Sequence, residues 1–146
     1  MAERTSSSIA VDAAPPDVMR VIADFGRYPE WADGIKESEV VATGADGLPS
    51  QVRFTLDAAV IRDTYTLGYR WAGQEWVAWD LVEPGAMVSG MSGSYRLSAD
   101  GPRTRVVYEL TVDVKIPMPG LLRRRAEKTI IGTALRGLKD RVESGH

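Results

Sequence analysis

The chemistry open to this chain is carried by phenols, carboxylates and cations. It has no cysteine and one histidine, the terminal His146. Thiol nucleophiles, disulfides, Cys/His zinc sites and a Ser-His-Asp triad built inside the domain are therefore excluded. The aromatic residues are the stronger lead. Phe54, Tyr65, Tyr69, Trp79, Tyr95 and Tyr108 each fall on the face that period-two alternation assigns inward. Aromatics in strands usually pack into cores. A buried phenol, however, also needs a partner for its hydroxyl. Two arrangements meet that need. One is a solid core with the hydroxyls tied to backbone groups. The other is an apolar pocket whose polar points meet water or a ligand.

Charged candidates are fewer. Asp63 shares strand parity with Tyr65 and Leu67. Inside, its pKa would rise and it could serve as a general acid or base; a strand-end aspartate is otherwise solvated. Arg123-Arg124-Arg125 occupy the first turn of a C-terminal helix, where each cation opposes the helix dipole at about 0.3–1 kcal/mol. An anionic head group or anionic lipid at a cavity mouth would relieve that cost, as would local carboxylates. Pro117, Met118, Pro119, Leu121 and Leu122 adjoin them and form the candidate membrane-touching edge. Gly68, Gly90 and Gly93 suggest bulges or bends in strands, and no phosphate-loop pattern is present.

These residues need elements to position them. Ser6 to Val11 reads as a strand. Pro15-Pro16-Asp17 opens a helix carrying Val18, Met19, Val21, Ile22 and Phe25, with Gly26 suited to stop it. A second short helix, Pro29 to Asp33, is closed by Gly34. Trp31, Tyr28 and Phe25 lie around the pair. Six strands then follow at 35–43, 50–57, 62–71, 76–82, 87–97 and 103–115, with turns at Ala45-Asp46-Gly47, Gly73-Gln74, Glu83-Pro84-Gly85 and Asp100-Gly101-Pro102. Ala58-Ala59-Val60 supplies weaker turn chemistry. Trp76 and Trp79 cannot share a face at their spacing; Trp79 goes in with Val77 and Leu81, Trp76 goes out, and Trp71 caps a sheet end. Regular turns with no helix between them mean an antiparallel meander. Pro117-Met118-Pro119-Gly120 breaks it. A helix over 121–143 follows, with Leu122, Ala126, Ile130, Ala134, Leu138 and Val142 as its apolar stripe, Ile131 and Leu135 flanking, and Glu127 among the polar remainder. At about 1.5 Å per residue that helix matches the width of the sheet but cannot cover seven strands, so the sheet must curl around it.

Composition is ordinary for a folded protein. The 146 residues predict one domain, 1–146. Eighteen Lys and Arg against 20 Asp and Glu leave a net −2, which gives no general attraction to nucleic acid. The polar leader Met1 to Ser8 lacks an apolar signal core, and no run is long enough to span a bilayer. A cytoplasmic protein without integral membrane contact is expected, with transient membrane-surface contact as the most it makes.

With these elements in place, the chain resembles the START/Bet v 1-like superfamily, in its polyketide cyclase/dehydrase and lipid-transport branch. The likeness rests on Ile9-Ala10-Val11-Asp12-Ala13-Ala14-Pro15-Pro16-Asp17-Val18 and Asp24-Phe25-Gly26-Arg27-Tyr28-Pro29-Glu30-Trp31. It continues through Gly93-Ser94-Tyr95-Arg96-Leu97, Thr104-Arg105-Val106-Val107-Tyr108 and Pro117-Met118-Pro119-Gly120. The resemblance implies an α+β helix-grip fold, a curved seven-stranded antiparallel sheet around the long C-terminal helix, with two short helices after the first strand. It also implies a ligand cavity between sheet and helix. The sheet would line it with Phe54, Leu56, Tyr65, Leu67, Tyr69 and Val77, then Trp79, Met91, Tyr95 and Tyr108. The helix would add Leu122, Ala126 and Ile130. Trp31, Met118, Arg123 and Arg124 would stand at the mouth. Aromatase/cyclase relatives carry an arginine and hydroxyls beside tryptophan; here Arg70 adjoins Tyr69 and Trp71, but alternation turns it outward. The expected function is binding of a lipid, fatty acid, quinone or polyketide without a cofactor. The alternatives are a polyketide aromatase/cyclase or dehydratase, with Asp63 as the candidate catalytic residue, and a protein-interaction module using the outer sheet face and Trp76.

Overall fold

The structure, a computed structural model, describes residues 4–58 and 61–144. Strand β1 (Thr5–Val11) leads into helix α1 (Pro15–Ala23), a 3-10 turn (Phe25–Arg27) and the one-turn helix α2 (Tyr28–Trp31). Six strands follow: β2 (Ile35–Thr43), β3 (Pro49–Ala58), β4 (Ile61–Ala72), β5 (Trp76–Glu83), β6 (Val88–Asp100) and β7 (Arg103–Val114). Helix α3 (Gly120–Glu143) ends the described chain. The sheet runs β1-β7-β6-β5-β4-β3-β2, antiparallel throughout. This is the helix-grip architecture expected from the order of elements. Of the expected turn Ala58-Ala59-Val60, Ala58 ends β3 and the other two residues lie outside the described ones, as do Met1 to Glu3, Gly145 and His146.

The strand assignments rest on alternation. β7 alternates strictly, burying Thr104, Val106, Tyr108, Leu110 and Val112 while the intervening residues are open or half-buried. Gly47, Gly73 and Gly101 take positive φ in three of the connecting turns. Bulges fall beside Gly90, where the β6–β7 register shifts, and near Gly68, where the β4–β5 register shifts. Gly93 is different: its register is unbroken, and its role is to make room for the Trp79 indole.

Two helical expectations need correction. Gly26 does not stop α1. The helix ends at Ala23, with the Asp24 N–H bonded to the Val21 carbonyl, and Gly26 sits in the 3-10 turn without positive φ. That turn carries Phe25 into the core at 1% exposure. The apolar stripe of α3 is also rotated. Its buried residues are Ala126, Glu127, Ile131, Leu135 and Leu138, while Ile130, Ala134 and Val142 are half-buried. Glu127 therefore belongs to the inner face. Its carboxylate accepts the Thr5 hydroxyl at 2.5 Å and the Val112 N–H at 2.8 Å. Leu122 is exposed, because Thr5 opens β1 opposite Glu127 and the helix turn before it runs past that strand.

Helix α3 packs chiefly over β1 and β7, and against α1 and α2. Gly137 permits the last of these: a Cβ there would come within 2.1 Å of the Trp31 carbonyl oxygen. The helix thus grips one side of the sheet and one end, leaving the inner faces of β3 to β6 for other residues to cover.

Candidate functional site

The uncovered region is a cavity of about 270 Å³. Alternation on β3 supplies Phe54 and Leu56, β4 supplies Tyr65, Leu67 and Tyr69, and β5 supplies Trp79. Met91 and Tyr95 come from β6, Tyr108 and Leu110 from β7, and Ile130 and Ala134 from α3. Tyr28 and Trp31 of α2 close one end. The rim holds Asp33, Lys36, Asp57, Thr129 and Thr133, where the loop after α2, the end of β3 and α3 approach one another.

Ring contacts hold the wall together. Trp79 meets Tyr108 edge-on at 5.5 Å between centroids, and Tyr95 meets Tyr108 at 4.6 Å. Tyr69 bridges Trp79 at 5.7 Å and Phe25 at 4.7 Å. Offset and edge-on pairs of this kind add roughly 0.5–1.5 kcal/mol each beyond area burial.

The hydroxyls divide into two groups. Tyr28 donates to the Ile22 carbonyl. Those of Tyr65, Tyr69, Tyr95 and Tyr108 have no protein partner among the described residues. Nor is any of the four sealed, since the Trp31 indole N–H is the one fully enclosed side-chain group left unpaired among the described residues. The four phenols therefore open onto the cavity. Burial pushes all four pKa values up, and Tyr108 raises the other three further. At neutral pH each is a protonated donor.

Of the predicted wall, ten residues line this cavity: Phe54, Leu56, Tyr65, Leu67, Tyr69, Trp79, Met91, Tyr95, Tyr108 and Ile130. Val77 does not. It is fully buried, flanked in register by Trp71 and Tyr95. Ala126 is buried beside Glu127 and off the cavity wall, and Leu122 is exposed. At the mouth, Trp31 is in place, but Met118, Arg123 and Arg124 are not. Arg123 pairs with Asp113 at 3.1 Å, Arg124 borders a groove on the solvent side of α3, and Met118 lies half-buried before the helix. Arg70 faces outward as expected, pairing with Asp80 at 3.0 Å and lying 5.9 Å above the Trp76 ring. Trp71 ties a sheet end by donating to the Pro49 carbonyl at 2.7 Å. Leu110, Thr129 and Thr133 were not foreseen as lining. The parity of Leu110 with Tyr108 was the available signal.

Asp63 does not line this cavity. Its carboxylate accepts the N–H groups of Thr64, Ala86, Met87 and Val88 at 2.7–2.9 Å. Partial burial pushes its pKa up, but the four donors outweigh that and hold it below the ordinary value of 3.8. It clamps the β5–β6 connection. Asp63→Ala is expected to cost about 2–3 kcal/mol, since several aligned donors lose a charged acceptor. Because the folded pKa is depressed, the clamp is at full strength above the unfolded value and is lost as pH falls through the folded one. Chemical denaturation at neutral pH and at pH near 3 checks this: the gap between wild type and variant should shrink in acid.

A curled antiparallel sheet gripping one C-terminal helix over an apolar, hydroxyl-bearing cavity defines a helix-grip protein with an internal pocket. The chain belongs to the polyketide cyclase/dehydrase and lipid transport family, whose model matches residues 2–143. Among solved structures, a START superfamily protein from Mycobacterium smegmatis is similar at 23% identity and TM-score 0.91, with 98% of this chain and 99% of that one covered. A Thermus thermophilus protein is similar at 23% identity and TM-score 0.81, covering 97% and 98%. The Zhui aromatase/cyclase from Streptomyces sp. R1128 is similar at 18% identity and TM-score 0.79, covering 97% and 93%. No curated protein matches the chain in sequence. No helix among the described residues is long and apolar enough to cross a membrane.

Proposed function

We propose that the cavity binds a compact, largely apolar molecule bearing a neutral oxygen acceptor, such as a quinone or a small polyketide. The observation that carries this reading is the set of four unpartnered phenol donors on an apolar wall. A buried donor without an acceptor is costly, and a carbonyl oxygen placed among the four would satisfy one or two of them. Size supports a small ligand. The cavity's 270 Å³ falls just below the roughly 300–1,000 Å³ usual for small-molecule sites, a size that suits one or two rings or a short chain better than a diacyl lipid. Charge supports a neutral one, since the formal charges lie at the rim, on Asp33, Lys36 and Asp57. A fatty acid would have to leave its carboxylate near Lys36.

Binding is favoured over aromatase, cyclase or dehydratase chemistry by the titration of the wall. Proton transfer works best through a group with a pKa near the working pH. The phenols are displaced upward and Asp63 is committed to backbone donors.

The test is titration of purified protein with 1,4-naphthoquinone and with naphthalene, read by intrinsic tryptophan fluorescence, to which Trp31 and Trp79 of the lining contribute, and by melting temperature. The quinone should bind more tightly. Tyr108→Phe should weaken the quinone about two- to tenfold, the loss of one hydrogen bond of roughly 0.5–1.5 kcal/mol, and leave naphthalene unchanged. Saturation near a hundred times Kd should add about 2.7 kcal/mol of stability. If neither compound quenches fluorescence nor raises the melting temperature, the reading fails.

A further inference from the structure

We infer that the solvent face of the first half of α3, together with the Ile116–Leu122 segment leading into it, docks on an anionic lipid surface. Charge is the first ground. Residues 115–136 hold six cations and one carboxylate, and that carboxylate, Glu127, is buried and engaged. Six less one leaves +5 on this segment, so at a chain total of −2 the remainder carries −7. The protein is electrically lopsided.

Three of the cations are also unneutralised from within. Elsewhere most arginines pair with carboxylates, among them Arg20 with Asp17, Arg53 with Glu39, Arg70 with Asp80 and Arg141 with Glu30, while Arg105 bonds the Ser8 hydroxyl. Arg125, Lys128 and Arg136 form no ion pair among the described residues. They follow one helical line with Gly132 between the last two, and the Arg136 guanidinium lies 3.2 Å from where a Gly132 Cβ would stand. Gly132 thus lets Arg136 lie back along the helix toward Lys128. Like charges three or four residues apart repel. An external anion relieves that cost. The groove they border, about 490 Å³, is shared with Leu121 and Thr129.

The apolar neighbours distinguish a bilayer from a merely acidic partner. Leu121 at 78% and Ile116 at 64% are the most exposed large hydrophobic residues among those described, and Leu122 adds a third beside them. Apolar side chains protruding next to a basic helical face are the pattern of an interfacial surface. Thr129 borders both this groove and the cavity. Docking on this face would bring the cavity mouth to the lipid.

Flotation with vesicles of phosphatidylcholine alone and of phosphatidylcholine with phosphatidylglycerol tests the proposal. Wild type should float with the anionic vesicles at low salt, lose them at high salt, and ignore the neutral ones. The variant Arg125→Gln/Lys128→Gln/Arg136→Gln should bind on the order of a hundredfold more weakly, at roughly 1 kcal/mol per cation. Leu121→Asn, which removes the apolar side chain without changing the charge, should weaken vesicle binding while leaving retention on a polyanionic resin unchanged. All four positions are exposed, so melting temperatures should stay at the wild-type value; should the triple variant fold poorly, the salt series on wild type decides alone. Two results overturn the proposal: no flotation with anionic vesicles at low salt, or flotation indifferent to Leu121→Asn, which would indicate an acidic macromolecule instead. Naphthoquinone binding has its own readout and survives either outcome.

Discussion

Replacing Gly93 by valine is expected to destabilise the protein by about 3 kcal/mol, the upper end of the overpacking range, and to abolish ligand binding. Gly93 faces inward on β6 directly opposite Trp79 on β5. The indole lies across it. A Cβ at this position would stand 2.5 Å from Trp79 Cζ2 and 2.7 Å from the Glu109 carbonyl oxygen. The carbonyl belongs to the β6–β7 ladder and cannot withdraw without loosening it. The indole can move, but Tyr108 at 5.5 Å and Tyr95 at 5.5 Å stand on its other sides, and the open direction is the cavity. Valine should therefore push Trp79 into the space the ligand needs. Thermal melts should show a fall of roughly 6–12 °C, at about 2–4 °C per kcal/mol for a chain of this size. Naphthoquinone should no longer raise the melting temperature. Adding Trp79→Leu to the valine variant should recover part of the stability, because the two substitutions share one contact. A valine variant with wild-type stability and ligand response would show that the close approach is not enforced.

This dependence also explains what could be read from sequence and what could not. Strand β7 was legible because it alternates over its whole length and has polar turns at its start and a proline break after its end. The inward set Phe54, Tyr65, Tyr69, Trp79, Tyr95 and Tyr108 followed from the same period. Parity, however, reports a face and not the depth or the neighbour. It placed Val77 beside Trp79 correctly, yet Val77 is sealed while Trp79 borders the cavity. It also put Asp63 with Tyr65, and could not foresee that the β5–β6 connection folds back to present the N–H groups of Ala86 and Met87, with that of Val88 at the start of β6, to that carboxylate. On α3 the apolar residues Ile130, Ile131, Ala134 and Leu135 span a wide arc. Several phases fit such an arc equally well, and the rule that carboxylates face water chose the one that put Glu127 outside. The true phase is set by a hydrogen bond to Thr5, 122 residues away, which no local pattern encodes.

That bond makes Glu127→Ala the second large effect. Glu127 is 3% exposed, as costly a place for a carboxylate as the fold contains. It is tolerated because β1 stops short there. Thr5 pairs with Leu110, so the Val112 N–H lies beyond the end of β1, and Glu127 takes the acceptor role at 2.8 Å. Alanine would strand the Val112 N–H and the buried Thr5 hydroxyl together. At about 1–3 kcal/mol for each buried group left unpaired, the expected loss is about 2–4 kcal/mol, and roughly 5–15 °C in melting temperature. Glu127→Gln should lose less, since its amide oxygen can still accept the Val112 N–H. Thr5→Val combined with Glu127→Ala should cost less than the two single losses added, because each removes the same contact. The site should respond as well. By fastening α3 to β1 and β7, Glu127 holds the helix away from β3 to β5, and the gap on that side is the cavity. With the fastening gone, α3 is free to slide over the aromatic wall, and naphthoquinone affinity should fall in the alanine variant even at temperatures where it is fully folded. Equal affinity in folded Glu127→Ala and wild type would mean that α1 and α2 alone set the position of the helix.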